Sequence, residues 1–143
     1  MSLITWKKSL VLDIDDIDRQ HKDLAMTINK IFMANDLGKS DSTCLRLLKE
    51  FQSQIKSHFE FENEYVKNLE FESINAQVNI YNEFLEKLAR LISTYTTCED
   101  VVRRNLVLFL ANWLTEHIKI DKVKFNIARK KQITITNRKG GAL

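Results

Sequence analysis

The sequence predicts an all-α domain, an up-down-up-down four-helix bundle with an extended N-terminal arm. Three observations predict it. The 143 residues include no proline and three glycines, two of them among the last four positions, so almost nothing interrupts a helix. Four segments repeat apolar residues at alternating steps of three and four, the spacing of helices packed nearly parallel or antiparallel. The connections between them are only a few residues long, which makes neighbouring helices antiparallel. A chain of this length supports one domain with a real core rather than two. That domain spans residues 1–130, and a basic C-terminal tail occupies 131–143.

Residues 1–16 carry Trp6, Leu10, Leu12 and Ile14 without helical spacing, and form an arm expected to lie across one face of the bundle. The first helix, about 17–36, aligns Ile17, His21, Leu24, Ile28 and Ile31. The second, about 41–69, opens on Ser40-Asp41-Ser42 as cap candidates and aligns Leu48, Phe51, Ile55, His58, Glu62, Tyr65 and Leu69. The third, about 73–96, aligns Ile74, Gln77, Tyr81, Phe84, Leu88, Leu91 and Tyr95. The last, about 99–129, aligns Leu106, Leu110, Trp113, His117 and Asp121, then Lys124 or Phe125. Beyond about residue 130 the stretch KKQITITNRKGGAL fits none of these patterns and is left unassigned.

Composition narrows the function classes. No apolar run approaches the roughly 18 residues that span a bilayer. The N-terminal MSLITWKKSL lacks an apolar stretch followed by a small-residue cleavage site, so no secretory signal is visible. Cys44 and Cys98 stand apart and form no C-x-x-C, which suits reduced thiols in a cytoplasmic protein. Of 22 basic residues, seven follow Asp121 with no acidic residue among them. The remaining 15, against 19 acidic, leave residues 1–121 with a balance of −4. Such a tail suits an anionic partner, nucleic acid or a membrane surface. It equally suits a solvated helix end, where cations complement the helix dipole. The second reading is preferred, because the tail lacks the interleaved aromatics of nucleic-acid platforms. No nucleic-acid or membrane partner is therefore expected, and oligomeric state is left open.

The chemistry lies in polar residues set inside apolar stripes. All three histidines fall on inward positions of different helices, and two have a carboxylate four residues on, in His58-x-x-x-Glu62 and His117-x-x-x-Asp121. Residues i and i+4 of a helix share one face, so imidazole and carboxylate reach a common point. Buried carboxylates are costly unless paired or bound to a cation. Taken singly, each of these residues reads as a satisfied core side chain or a surface pair. Together they point to a metal site with His21, His58, Glu62, His117 and Asp121 as ligands. Imidazole and carboxylate without thiolate suit iron, manganese or zinc.

The stretch Val11–Phe32, centred on Ile17-Asp18-x-Gln20-His21, resembles the first helix of bacterial hemerythrins. His58-x-x-x-Glu62 and Trp113-Leu114-x-x-His117-x-x-x-Asp121 are similar to that family's second and last motifs, and Trp6 matches its N-terminal tryptophan. The resemblance spans about residues 6–125. It implies non-haem iron, one or two ions. His21 and His58 would hold one iron, Glu62 and Asp121 would bridge, and His117 would belong to the other. It further implies dioxygen or another small diatomic as ligand, in a pocket lined by Leu24, Phe59, Trp113, Leu114 and Ile118. Plain core packing accounts for those five residues as well.

The sequence departs from the family on the third helix, where a histidine pair is replaced by Gln77 and Tyr81. Two-electron carriage of dioxygen in the family draws one electron from each iron, so this change favours sensing or a redox role over bulk carriage. Three outcomes are open: a single iron at the retained ligands, a two-iron centre with Tyr81 as phenolate and Gln77 as a weak donor, or a vestigial site. For Tyr81 a hydrogen bond to a carboxylate is preferred to ligation, and for Gln77 a supporting hydrogen bond. No acid–base residue stands out beyond the ligands, so an enzyme is not expected. The alternative from another class is a metal-free bundle acting as a protein-interaction module.

Overall fold

The computed structural model describes residues 2–68, 74–97 and 99–141, and the side chains of these except at 74 and 132–141. Four helices follow one another with no strand among the described residues: α1 (Asp15–Asp36), α2 (Asp41–Asn68), α3 (Ile74–Ser93) and α4 (Asp100–Gly141). Asp15, Asp16 and Asp18 fill the first turn of α1, where carboxylates complement the positive end of the helix dipole. The helix ends at Asp36, and Gly38 two residues on, with a φ of 66°, turns the chain without the penalty a Cβ would bring. There Gly38 N–H and Lys39 N–H donate back to the carbonyls of Asn35 and Ala34. Ser40 then caps α2, its Oγ accepting from Thr43 N–H at 3.3 Å.

The inward stripes coincide with the buried faces. Ile17, Ile28 and Ile31 of α1 meet Leu48, Phe51 and Ile55 of α2, Leu88 of α3 and Leu110 of α4, all essentially without exposure. Each such side chain contributes about 1.5–3 kcal/mol on burial. Closely spaced backbone joins α1 to α2 and α4, and α2 to α3, whereas among the described residues α3 and α4 approach each other less. That looser seam becomes important at the site.

Three expectations change. The arm is not extended throughout, because Lys8–Leu10 form a 3-10 turn. It does lie on the bundle: Leu10 and Leu12 are buried, and Trp6 packs on the core. Ile4 and Asn29 exchange two 2.8 Å hydrogen bonds, and Lys122 and Arg129 donate to the carbonyls of Ser9 and Leu12. The third helix ends at Ser93, earlier than the stripe suggests, and Tyr95 is buried from a separate 3-10 turn, Tyr95–Thr97. The fourth does not end near residue 129 but continues through the unassigned stretch to Gly141. At 42 residues it is about 63 Å long, against about 42 Å for α2. Cys44 is buried and unbonded to another cysteine; Cys98 and Leu69 lie outside the described residues. Among the described residues no helix is long and apolar enough to cross a membrane.

Candidate metal centre

Three helices deliver the five predicted donors to one interior point. His21 comes from α1, His58 and Glu62 from α2, and His117 and Asp121 from α4, each no more than 6% exposed. Their ligand atoms all lie within 4.8 Å of one another. The i, i+4 spacing places His58 Nε2 2.7 Å from Glu62 Oε2 and His117 Nε2 2.9 Å from Asp121 Oδ2. His58 Nε2 also stands 3.2 Å from the Nε2 atoms of both His21 and His117. Asp121 Oδ2 reaches His21 Nε2 at 3.5 Å, and Glu62 Oε2 reaches His117 Nε2 at 3.3 Å.

Protons alone do not satisfy this cluster. His58 Nδ1 lies 2.7 Å from Gln20 Oε1, a pure acceptor, so Nδ1 carries the hydrogen and Nε2 turns its lone pair inward. A proton between two Nε2 atoms serves only one of the pairs that His58 makes. Glu62 Oε2 and Asp121 Oδ2 are buried and face imidazole nitrogens at 2.7–3.5 Å that have few protons to share, and Asp121 Oδ1 is buried with the Lys124 ammonium at 4.0 Å, beyond hydrogen-bond distance. Buried acceptors that outnumber the protons available to them are expensive. A cation at the centre satisfies the inward-facing nitrogens and oxygens together, and neutral imidazole with carboxylate, without thiolate, is the donor set of iron, manganese or zinc.

Electrostatics separate His21 from His117. Burial lowers the pKa of His21, aided by His58 and His117 and opposed by Asp121, which keeps its nitrogen free to donate a lone pair. Burial also works against a charged His117, but Asp121 and Glu62 outweigh it and push His117 up to about 10. Glu62 resists the upward pull of burial because His117, His58 and Asp121 hold it well below the usual carboxylate range. The two acids thus favour a proton on His117, which offsets part of their charge.

The α3 side is built differently. Tyr81 donates from its hydroxyl to Glu62 Oε1 at 2.7 Å. Burial, then the Glu62 and Asp121 charges, raise its pKa far above that of a free phenol, so it stays protonated. Gln77 donates to Asn63 Oδ1 at 2.8 Å and accepts from Lys124 Nζ, which stands 4.0 Å from Asp121 Oδ1. Sequence spacing left Lys124 and Phe125 as equivalent ends of the α4 stripe. The structure separates them: Phe125 enters the core and Lys124 turns to the site. Gln20 stood in the first-helix motif without a role assigned to it, and Asn63 was missed, although each is the polar neighbour next to a donor in sequence.

Of the residues expected to line a gas pocket, Leu24, Phe59, Leu114 and Ile118 are fully buried within one helical turn of a donor. Phe59 stacks on Tyr81 with ring centres 3.9 Å apart. Trp113 is only half-buried and is sandwiched between Phe84, at 3.9 Å, and His117, at 4.9 Å. It also lines a cleft of about 320 Å³ in the α3–α4 seam, which reaches Gln77, Tyr81, His117, Asp121 and Lys124.

Comparison with known proteins agrees with this geometry. The chain is 26% identical over 121 residues to the bacteriohemerythrin of Stenotrophomonas maltophilia (strain R551-3), covering 85% of this chain and 78% of the relative. The Pseudomonas aeruginosa (strain LESB58) bacteriohemerythrin is 27% identical with the same coverage. That of Clostridium acetobutylicum is 23% identical over 121 residues, covering 81% of this chain and 93% of the relative. Residues 12–123 match the family model of the hemerythrin HHE cation binding domain, and the chain belongs to that family.

Proposed function

We propose that this chain is a cytoplasmic non-haem iron protein that binds dioxygen or another small diatomic for sensing, redox or storage, without catalytic turnover. The observation that carries this reading is the convergence of five buried donors from three helices, whose ligand atoms all lie within 4.8 Å of one another. Bound iron supplies a Lewis-acidic, redox-active centre able to take a small ligand. The protein's own residues do the rest. His21, His58 and His117 present Nε2 lone pairs, while Glu62 and Asp121 neutralise the added charge. Gln20 fixes the ring orientation of His58 from behind, the usual task of a partner to a metal-bound imidazole. Leu24, Phe59, Leu114 and Ile118 exclude bulk water, and the α3–α4 cleft offers a small molecule a path to His117. Absorption spectra of the ferrous-loaded protein, recorded anaerobically and then with dioxygen or nitric oxide, test the ligand. A change on addition is expected; spectra indifferent to both gases rule out the diatomic role.

A second reading is a metal-free interaction module. It draws on Ile120, Val123 and Ile127, which are exposed at one- and two-turn spacing on α4 beside Lys119. Elemental analysis separates the two. A folded chain with no bound metal and no ferrous affinity favours the module.

A further inference from the structure

The two buried acids each have an inner and an outer oxygen, and the two kinds face different chemistry. The inner pair, Glu62 Oε2 and Asp121 Oδ2, approach imidazole nitrogens at 2.7–3.5 Å. The outer pair are met from the α3–α4 side by hydrogen-bearing groups. Tyr81 donates its hydroxyl to Glu62 Oε1, and the Lys124 ammonium lies 4.0 Å from Asp121 Oδ1. Lys124 sits one turn beyond Asp121 on α4, with a side chain 20% exposed, and is steadied by Gln77 Oε1. Gln77 is in turn held by Asn63. Tyr81, Lys124 and Gln77 are thus all engaged already, and one of them is an ammonium group.

The spread of the donors is also close to that of one ion, and a contraction of a few tenths of an ångström brings the widest pair within it. Around a six-coordinate cation with bonds of about 2.1 Å, neighbouring ligand atoms stand roughly 3.0 Å apart and opposite ones roughly 4.2 Å. The five donor atoms lie within 4.8 Å of one another, and their close pairs fall between 2.7 and 3.5 Å. Two ions would need donors on the α3 side, where Tyr81 and Gln77 offer none that is free.

Resting on the metal-binding reading above, we propose that this centre takes a single metal ion and that the Lys124 ammonium occupies the place of a second cation beside Asp121 Oδ1. Lys124 balances the outer carboxylate charge that a second ion would balance. Gln77 and Tyr81 close the position by hydrogen bonding. A one-metal centre would lack the second iron from which two-electron dioxygen carriage draws its second electron.

The test is anaerobic titration with ferrous iron and, in parallel, zinc, with metal per chain read by elemental analysis. Manganese-loaded protein read by electron paramagnetic resonance reports spin coupling. Wild-type protein is expected to take one ion even in excess metal, with an uncoupled manganese signal. Lys124→Met removes a repelling charge near the ion and is expected to tighten the first site by roughly three- to tenfold. Lys124→Glu replaces the ammonium with an oxygen donor facing Asp121 and is expected to raise the count from one to two, with coupled manganese. Two coupled ions in the wild type overturn the proposal while leaving metal binding intact. No ion in the wild type overturns the metal reading itself, and the proposal with it. Unchanged affinity in Lys124→Met, or a persistent count of one in Lys124→Glu, overturns the role given to Lys124. Lys124 lines a cleft rather than the core, so both variants are expected to keep the wild-type circular dichroism spectrum and melting curve.

Discussion

The α1–α2 side of the centre and the α3–α4 seam handle the same two carboxylates in opposite ways. On the first side the residues that face inward bring lone pairs: His21 Nε2, and His58 Nε2 with its far nitrogen tied to Gln20. In the seam they bring hydrogens: the Tyr81 hydroxyl to Glu62 and the Lys124 ammonium toward Asp121. The lone-pair side gathers nitrogens and oxygens that lack protons to share, whereas on the hydrogen-bearing side Glu62 Oε1 already accepts a hydrogen bond and Asp121 Oδ1 already faces a cation. The difference teaches that few side chains decide whether one layer of a bundle is a cation site or a hydrogen-bonded plug.

Removing an acid shared by both sides has the largest expected effect. Glu62→Ala strips the lone-pair side of its neutralising charge and leaves the buried Tyr81 hydroxyl without an acceptor. Ferrous affinity is expected to fall by at least about a hundredfold, and the metal-free chain to lose roughly 1–3 kcal/mol of stability. Anaerobic iron titration and thermal unfolding measure the two effects. Wild-type iron uptake in this variant would remove Glu62 from the ligand set.

The next effect sets the two supporting amides against each other. Gln20→Ala frees the His58 ring and is expected to weaken metal binding by roughly ten- to a hundredfold. Gln77→Ala, on the hydrogen-bearing side, is expected to change affinity only a few-fold. Equal losses in the two variants would erase the asymmetry between the sides.

Metal affinity is also expected to depend on pH through His117, the one imidazole that touches both acids. Its pKa is raised from 6.5 to about 10, so the metal-free chain carries a proton there at neutral pH. The stability from pairing that imidazolium with Asp121 and Glu62 is complete below about pH 6.5 and disappears as pH climbs through about 10. Glu62 acts at the other end: its pKa is depressed, so its contribution is present above about 4.5 and fades on acidification. A metal must displace the His117 proton. Affinity should therefore rise about tenfold per pH unit between 7 and 9, with one proton released per ion. Calorimetry in buffers of different ionisation enthalpy counts that proton, and a pH-independent affinity would mean that His117 does not ligate.

The lone-pair side was legible in the sequence and the hydrogen-bearing side much less so, for a physical reason. A donor on an inward stripe is found by helical periodicity, and the i, i+4 pairs His58–Glu62 and His117–Asp121 advertise themselves. Gln20, Asn63 and Lys124 act through the reach of long polar side chains across helices, which periodicity does not encode. Their one signal is adjacency: Gln20 precedes His21, Asn63 follows Glu62, and Lys124 stands one turn after Asp121. The helices were found for the same reason as the donors. The end of α4 was not, because Ile133, Thr134, Ile135 and Thr136 are β-branched and weaken the helical signal where apolar spacing also stops.

The smallest expected effect is at Tyr81, and it sharpens the comparison most. A phenolate bound to ferric iron gives an intense visible absorption; a phenol that donates to a carboxylate gives none. Tyr81 is buried, faces the Glu62 and Asp121 charges, and hydrogen-bonds Glu62 at 2.7 Å, all of which favour the protonated form. The ferric wild type is therefore expected to lack that band, and Tyr81→Phe to look the same. The ring that remains in this variant keeps the stacking on Phe59, so the change removes one hydrogen bond, worth about 1 kcal/mol or a few-fold in affinity. A strong band present in the wild type and absent from Tyr81→Phe would move Tyr81 across to the lone-pair side and make α3 a supplier of metal ligands after all.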